Sequence, residues 1–161
     1  MGDLQVGLGI DLHAPGPGRV LLLGGVRFDD EAGLAGHSDG DVVCHALADA
    51  LLGAAGLGDL GEHFPDTDPT LEGIGGLDLL GRVVSLLRSR GLAPVSCDLT
   101  LLAQRPHIAE RRDEIRRNLA SALRVPVDQV SVKATRPEGL GLTGEGAGCM
   151  AVATIGPAAD R

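Results

Sequence analysis

Asp11 and His13 stand two residues apart in VGLGIDLHAPG, residues 6–16, an otherwise apolar run. On an extended strand, side chains two apart share a face and lie about 6 to 7 Å from one another. An acid and an imidazole on one face need a partner, and His45 is the candidate. It sits in the middle of an apolar, helix-like segment one turn after Asp41, where an unpaired imidazole is costly. One carboxylate and two imidazoles form a three-ligand set suited to zinc, with a fourth position open for substrate. Each residue also has a plainer reading. A lone helical histidine is often a hydrogen-bonded core residue, and Asp-x-His on a strand is often just a polar face. The overlapping GLGIDL is not a dinucleotide fingerprint, because the third glycine of GxGxxG falls on Leu12 and no helix opens there.

The elements that must position these groups follow from periodicity. LQVGLGIDL and RVLLLGGVRF predict strands, the second broken by Gly24-Gly25, a pair suited to a tight hairpin turn. In HSDGDVVCHALADALLGAAG the period changes: Val42, Val43, Ala46, Ala50, Leu51 and Ala54 share one helical side. Ser38 is the expected N-cap, with Asp41 at capping-box spacing and Gly56 as the stop. Residues 57–76 are dense in Gly, Pro and Asp and predict an ordered loop long enough to be functional. Residues 77–90 predict a second helix, ended by Gly91. VSCDLTLL predicts a strand with one buried face. HIAERRDEIRRNLASALRV predicts a third helix with Ile108, Ile115, Leu119 and Leu123 inward, and QVSVKAT and CMAVATI predict two closing strands around the turn GLGLTGEGAG. The order β-β-β-α-α-β-α-β-β lacks regular βαβ alternation, so the expected class is mixed α/β with α+β character. The final PAADR is expected to fray.

Composition narrows the chemistry. A chain of 161 residues suits a single domain, 1–161. A formal net charge of -8 argues against a general binder of nucleic-acid backbones, and with two Phe, no Trp and no Tyr there are few platforms for stacking bases. The longest apolar stretch, residues 46–60, carries Asp49 and Asp59 and is too short and too polar to span a bilayer. MGDLQ has no basic, apolar signal pattern, so a cytoplasmic protein without membrane attachment is expected. Cys44, Cys97 and Cys149 are odd in number and widely spaced, which predicts small core residues and no disulfide framework.

GLGIDLH, GLAGHSDGDVVCHALADALLGAAGLGDLGEHFPDTDP, AQRP, VKAT and EGLGLTGEG occur in this order between about Gly7 and Val152. Together they resemble the 2-C-methyl-D-erythritol 2,4-cyclodiphosphate synthase family of the non-mevalonate isoprenoid pathway. The resemblance implies a homotrimer of α/β subunits, each a mixed sheet with helices on one face, with active sites between subunits. It implies zinc on Asp11, His13 and His45, and a second divalent cation, Mg²⁺ or Mn²⁺, held by Glu138. The implied reaction converts 4-diphosphocytidyl-2-C-methyl-D-erythritol 2-phosphate to the cyclic 2,4-diphosphate and CMP. The substrate's own phosphate is the nucleophile, so catalysis rests on positioning and charge neutralisation. The resemblance gives His37 and Glu138 catalytic roles. It places Asp11, His13, His37, Ser38, Asp59, Gly61, Asp66, Thr135 and Arg136 against substrate, with Asp59 and Asp66 near the methylerythritol hydroxyls. Asp49 is expected to support neighbouring loops.

The chain also departs from the family pattern. His107 stands after AQRP where a lysine is usual, and Arg136-Pro137 replace two hydroxyl residues before Glu138. Glu145 and Ala147 take the positions of an Arg and a Glu in the glycine-rich turn. Three copies of Glu145 near a trimer axis would repel an isoprenoid diphosphate, so none is expected to bind there. The rival reading is a diverged trimeric paralogue that binds metal and a nucleotide or phosphate ligand without this reaction. A purely structural trimer ranks last, since it has no use for the Asp-x-His plus His set.

Overall fold

The structure, a computed structural model, describes residues 3–141 and 143–159. Asp160 and Arg161, where fraying is expected, and Leu142 of the glycine-rich turn lie outside the described residues. The chain opens with β1 (Gln5–His13), β2 (Pro15–Leu23) and β3 (Val26–Leu34), followed by helices α1 (Val42–Ala54), α2 (Leu60–His63) and α3 (Gly76–Ser89). Next come β4 (Leu92–Ala103), α4 (Arg112–Leu123), β5 (Val130–Thr135) and β6 (Ala147–Pro157). The expected class holds: β1, β6, β4 and β5 form one mixed sheet in that order, and β2 and β3 form a separate hairpin. β6 runs antiparallel to both β1 and β4, while β5 is parallel to β4, the connection that a crossover helix such as α4 permits.

Period-2 alternation decides which side of the sheet is covered. Cys149, Ala151, Ala153 and Ile155 of β6 and Cys97, Leu99, Leu101 and Ala103 of β4 are buried under the helices. Met150 and Val152 point the other way and are exposed, as are Val6, Leu8, Ile10 and Leu12 of β1. α1 lies directly on β1 because Gly7 and Gly9 have no side chain. A Cβ at Gly9 would stand 1.9 Å from the Ala46 carbonyl oxygen, and one at Gly7 would stand 2.0 Å from that of Ala50. This close approach brings the helix and the Asp-x-His strand into register. All three cysteines are free and buried, as expected.

The hairpin strands run longer than the sequence reading, with β2 starting at Pro15 and β3 reaching Leu34, and the helices differ from it in three further ways. Asp41, not Ser38, caps α1: its carboxylate accepts from Val43 N and Cys44 N, both at 3.1 Å. The same carboxylate, fully buried, accepts from Gly24 N at 2.9 Å and Gly25 N at 2.7 Å. Gly24 and Gly25 have φ of 57° and 72°, the left-handed pair that a two-residue hairpin turn requires. Asp41 was favoured over Ser38 because it satisfies two chain segments at once. The loop 57–76 contains α2, capped by Asp59, and a 3₁₀ turn at Pro69–Leu71, capped by Asp68. The third predicted helix begins at Arg112, five residues later than His107, since Pro106 and a turn over 109–111 precede it.

Candidate metal centre and adjoining pocket

At the end of β1, Asp11 and His13 do share a face, and α1 delivers His45 to the same point. Asp11 Oδ2 lies 2.8 Å from His13 Nε2 and 3.1 Å from His45 Nδ1. One ligand atom from each of the three residues falls within 4.8 Å of the others. His13 Nδ1 donates to the Ala35 carbonyl, which orients the ring with Nε2 toward Asp11, where a bound cation would take the place of the Nε2 proton. His45 is 7% exposed, and its Nε2 lies 3.0 Å from Ser38 Oγ.

The electrostatics favour a cation here. Burial alone would push the Asp11 carboxyl up, but hydrogen bonds from His13 and His45, with their charge, outweigh it and hold it down at about 2. The Asp11 carboxylate raises His13 above the usual imidazole range against its own burial. In the donor set, one ionised oxygen and two imidazole nitrogens converge, with the second nitrogen of His13 already occupied by backbone. That set fits a tetrahedral zinc ion with one position left over. Among the described residues this is the only grouping of three or more such side chains close enough to hold a metal.

A pocket of about 130 Å³ adjoins the cluster, lined by His37, Ser38, His45 and Asp66 and walled by Leu60, Phe64, Leu71, Ile74 and Leu79. It is therefore apolar with four convergent polar groups, the composition expected of a small-molecule site. Asp49 Oδ1 accepts from Leu60 N at 2.8 Å, so it supports the pocket wall as expected, and burial pushes its carboxyl up. Asp59 accepts from Glu62 N at 3.1 Å as the cap of α2, and Gly61 lies in that helix. Both stand beside the pocket and neither lines it.

The remaining expected residues sit elsewhere. Thr135 ends β5, and Arg136 lies against His107 with guanidinium-to-ring nitrogen distances of 2.7 and 2.9 Å. These three line a second pocket with Arg112, and Glu138 lines a third with Gln104. Glu138 holds φ of 51°, a left-handed backbone that costs a non-glycine residue about 1 to 2 kcal/mol. His13 and Ala103 both pair with Ala147, and Thr135 pairs with Leu102, so all these groups share one end of the sheet. They occupy opposite edges of it. Three strand spacings separate β1 from β5, about 14 Å. Sequence reasoning noted Asp41 only at capping-box spacing, and it missed Asp39, which accepts from Gly76 N at 2.7 Å, and Arg19, which binds the carbonyls on either side of His37.

The chain is similar to known proteins along nearly its full length. The YgbB family model matches residues 4–156. A 2-C-methyl-D-erythritol 2,4-cyclodiphosphate synthase of Chloroherpeton thalassium is 50% identical over 92% of this chain and 94% of its own. The bifunctional IspDF of Campylobacter jejuni superposes with a TM-score of 0.92 at 36% identity, covering 98% of this chain and 43% of that one. The IspF of Plasmodium falciparum, solved as a CDP complex, gives 0.82 at 28% identity over 99% of both chains. Sequence and backbone agree across nearly the full length, and the chain belongs to the YgbB family.

Proposed function

We propose that this enzyme converts 4-diphosphocytidyl-2-C-methyl-D-erythritol 2-phosphate to 2-C-methyl-D-erythritol 2,4-cyclodiphosphate and CMP, as a phosphorus-oxygen lyase. The observation that carries the reading is the convergence of Asp11, His13 and His45 beside a pocket lined by His37, Ser38 and Asp66. Asp11, His13 and His45 would hold zinc, which supplies Lewis-acid charge neutralisation to a phosphate when bound. His37 and Ser38 stand just before α1, where they can hold the phosphate by hydrogen bonds, and Asp66 can accept from a methylerythritol hydroxyl. The reaction needs no protein nucleophile. An oxygen of the 2-phosphate bonds to the β-phosphorus, the bond from that phosphorus to the bridging oxygen breaks, and CMP leaves with the electron pair. The enzyme's part is to hold the two phosphates in line and to exclude water.

Glu138 is read as the carboxylate for a second divalent cation, Mg²⁺ or Mn²⁺, and Thr135 and Arg136 as contacts on the cytidylyl side. Two features support a homotrimer with sites between subunits. The methylerythritol-side and cytidylyl-side groups lie on opposite sheet edges, so a neighbour's edge would complete each site. The uncovered sheet face is apolar along β1 and β6. Among the described residues no helix is long and apolar enough to cross a membrane.

The deciding experiment is ³¹P NMR of the protein with this substrate, Zn²⁺ and Mg²⁺, and an EDTA control. Cyclic diphosphate with stoichiometric CMP is the expected result. Unchanged substrate in the presence of bound zinc would overturn the reading.

A further inference from the structure

The His37-Ser38 segment has few ties of its own, and one side chain from another element supplies two of them. β2 and β3 pair at Pro15 with Leu34 and next at Val20 with Ala32, so residues 16–19 bulge out of the ladder. Gly18, at φ of 77°, lets the chain make that excursion. Gly16 leaves the space into which the Arg19 stem folds, because a Cβ there would meet Arg19 Cδ at 2.9 Å and Ala35 N at 2.8 Å. The bulge thereby aims Arg19 across the hairpin. Its Nη1 donates to the Gly36 carbonyl at 2.5 Å and its Nη2 donates to the Ser38 carbonyl.

These two carbonyls bracket His37. Among the described residues no other protein donor reaches either of them. The guanidinium also has no carboxylate partner among the described residues, so its charge stays available next to the segment. The rest of the segment is tied to the site: the Ala35 carbonyl accepts from His13, Ser38 Oγ meets His45, and Gly73 N donates to the His37 carbonyl at 3.1 Å. A planar fork that spans two carbonyls is geometry a lysine cannot reproduce.

We propose that Arg19 is a positioning residue: by bridging the Gly36 and Ser38 carbonyls it fixes His37 and Ser38 at the mouth of the pocket, and so sets affinity for the substrate's phosphate. The proposal rests on the synthase reading for its kinetic consequence, but not for its structural one.

The test uses full-length, zinc-loaded protein with Arg19→Ala and Arg19→Lys. In the alanine variant KM rises about tenfold, the scale of losing charge-assisted hydrogen bonds, while zinc per chain is unchanged. Deuterium uptake across residues 36–41 quickens. Arg19→Lys keeps the charge and retains most of the defect, and millimolar guanidinium restores part of the alanine variant's activity where methylammonium does not. Wild-type KM and uptake in Arg19→Ala would overturn the proposal, and so would a lysine variant indistinguishable from wild type. Should the alanine variant fail to fold, the lysine variant decides. If the wild type makes no cyclic product, the synthase reading fails, and uptake across 36–41 in Arg19→Lys still decides the bridge.

Discussion

At the scale of residues, Asp11 Oδ2 is the point on which the site converges, since both imidazoles approach that one oxygen. Removing either imidazole leaves an incomplete donor set rather than a weaker one, because three protein ligands are the least that hold a catalytic zinc. His45→Ala is therefore expected to lose bound zinc and to cut turnover by more than about 100-fold, beyond the cost of losing a group that only orients a metal ligand. Plasma emission of the dialysed protein and a product assay check both, and full turnover would remove His45 from the ligand set. Glu138 gives the opposite signature. It lies outside the three-residue cluster, on a strained left-handed backbone that a purely structural glutamate would not need. Glu138→Gln is expected to lower turnover at least about tenfold, the scale of losing a charged contact to the second cation, with zinc content unchanged. Equal loss of zinc in that variant would put Glu138 on the wrong metal.

At the scale of elements, the site depends on how near α1 comes to β1. Gly9→Ala would place a methyl 1.9 Å from the Ala46 carbonyl oxygen, one residue from His45, and backbone on both sides leaves no flexible tip to yield. The helix must lift, at a cost of about 3 kcal/mol. His45 moves with it, so zinc affinity falls along with the melting temperature. A titration of the folded variant that gave wild-type zinc affinity would show that the approach serves packing alone. Much of this arrangement is legible in the sequence: period 2 in β1 put Asp11 and His13 on one face, and period 3.6 in α1 set out the helix that carries His45. What is not legible is tertiary. Ser38 and Asp41 are equally good caps by type, and only the nearby Gly24-Gly25 turn, with two more N–H groups to satisfy, selects Asp41. Arg19 gives no periodic signal because a bulge re-aims it, and the cap that Asp59 gives α2 is hidden because a four-residue helix shows no period.

At the scale of the whole molecule, one sheet face is covered by helices and the other is not. Leu8 and Val152 are directly paired across β1 and β6, 58% and 43% exposed, and flanked by Val6, Ile10, Leu12 and Met150, all apolar and exposed. An apolar surface contiguous over the edge strand β1 and its neighbour β6 is a cost to a lone chain and a gain to an assembly. The acidic balance of -8 would otherwise keep copies apart, so burial of this face must outweigh that repulsion. Lysine at both Leu8 and Val152 would set unpaired like charges in the face of every copy, and a closed ring multiplies that penalty by its symmetry. Sedimentation velocity is expected to show the wild type as a trimer and the double variant as a monomer. Circular dichroism should be unchanged, because both side chains point away from the core. Since each site would draw its cytidylyl side from a neighbouring chain, the monomer should still bind zinc at Asp11, His13 and His45 yet make no cyclic product. A monomeric variant with wild-type turnover would show instead that one chain holds the whole site, and that the 14 Å between its two edges is spanned by the substrate itself.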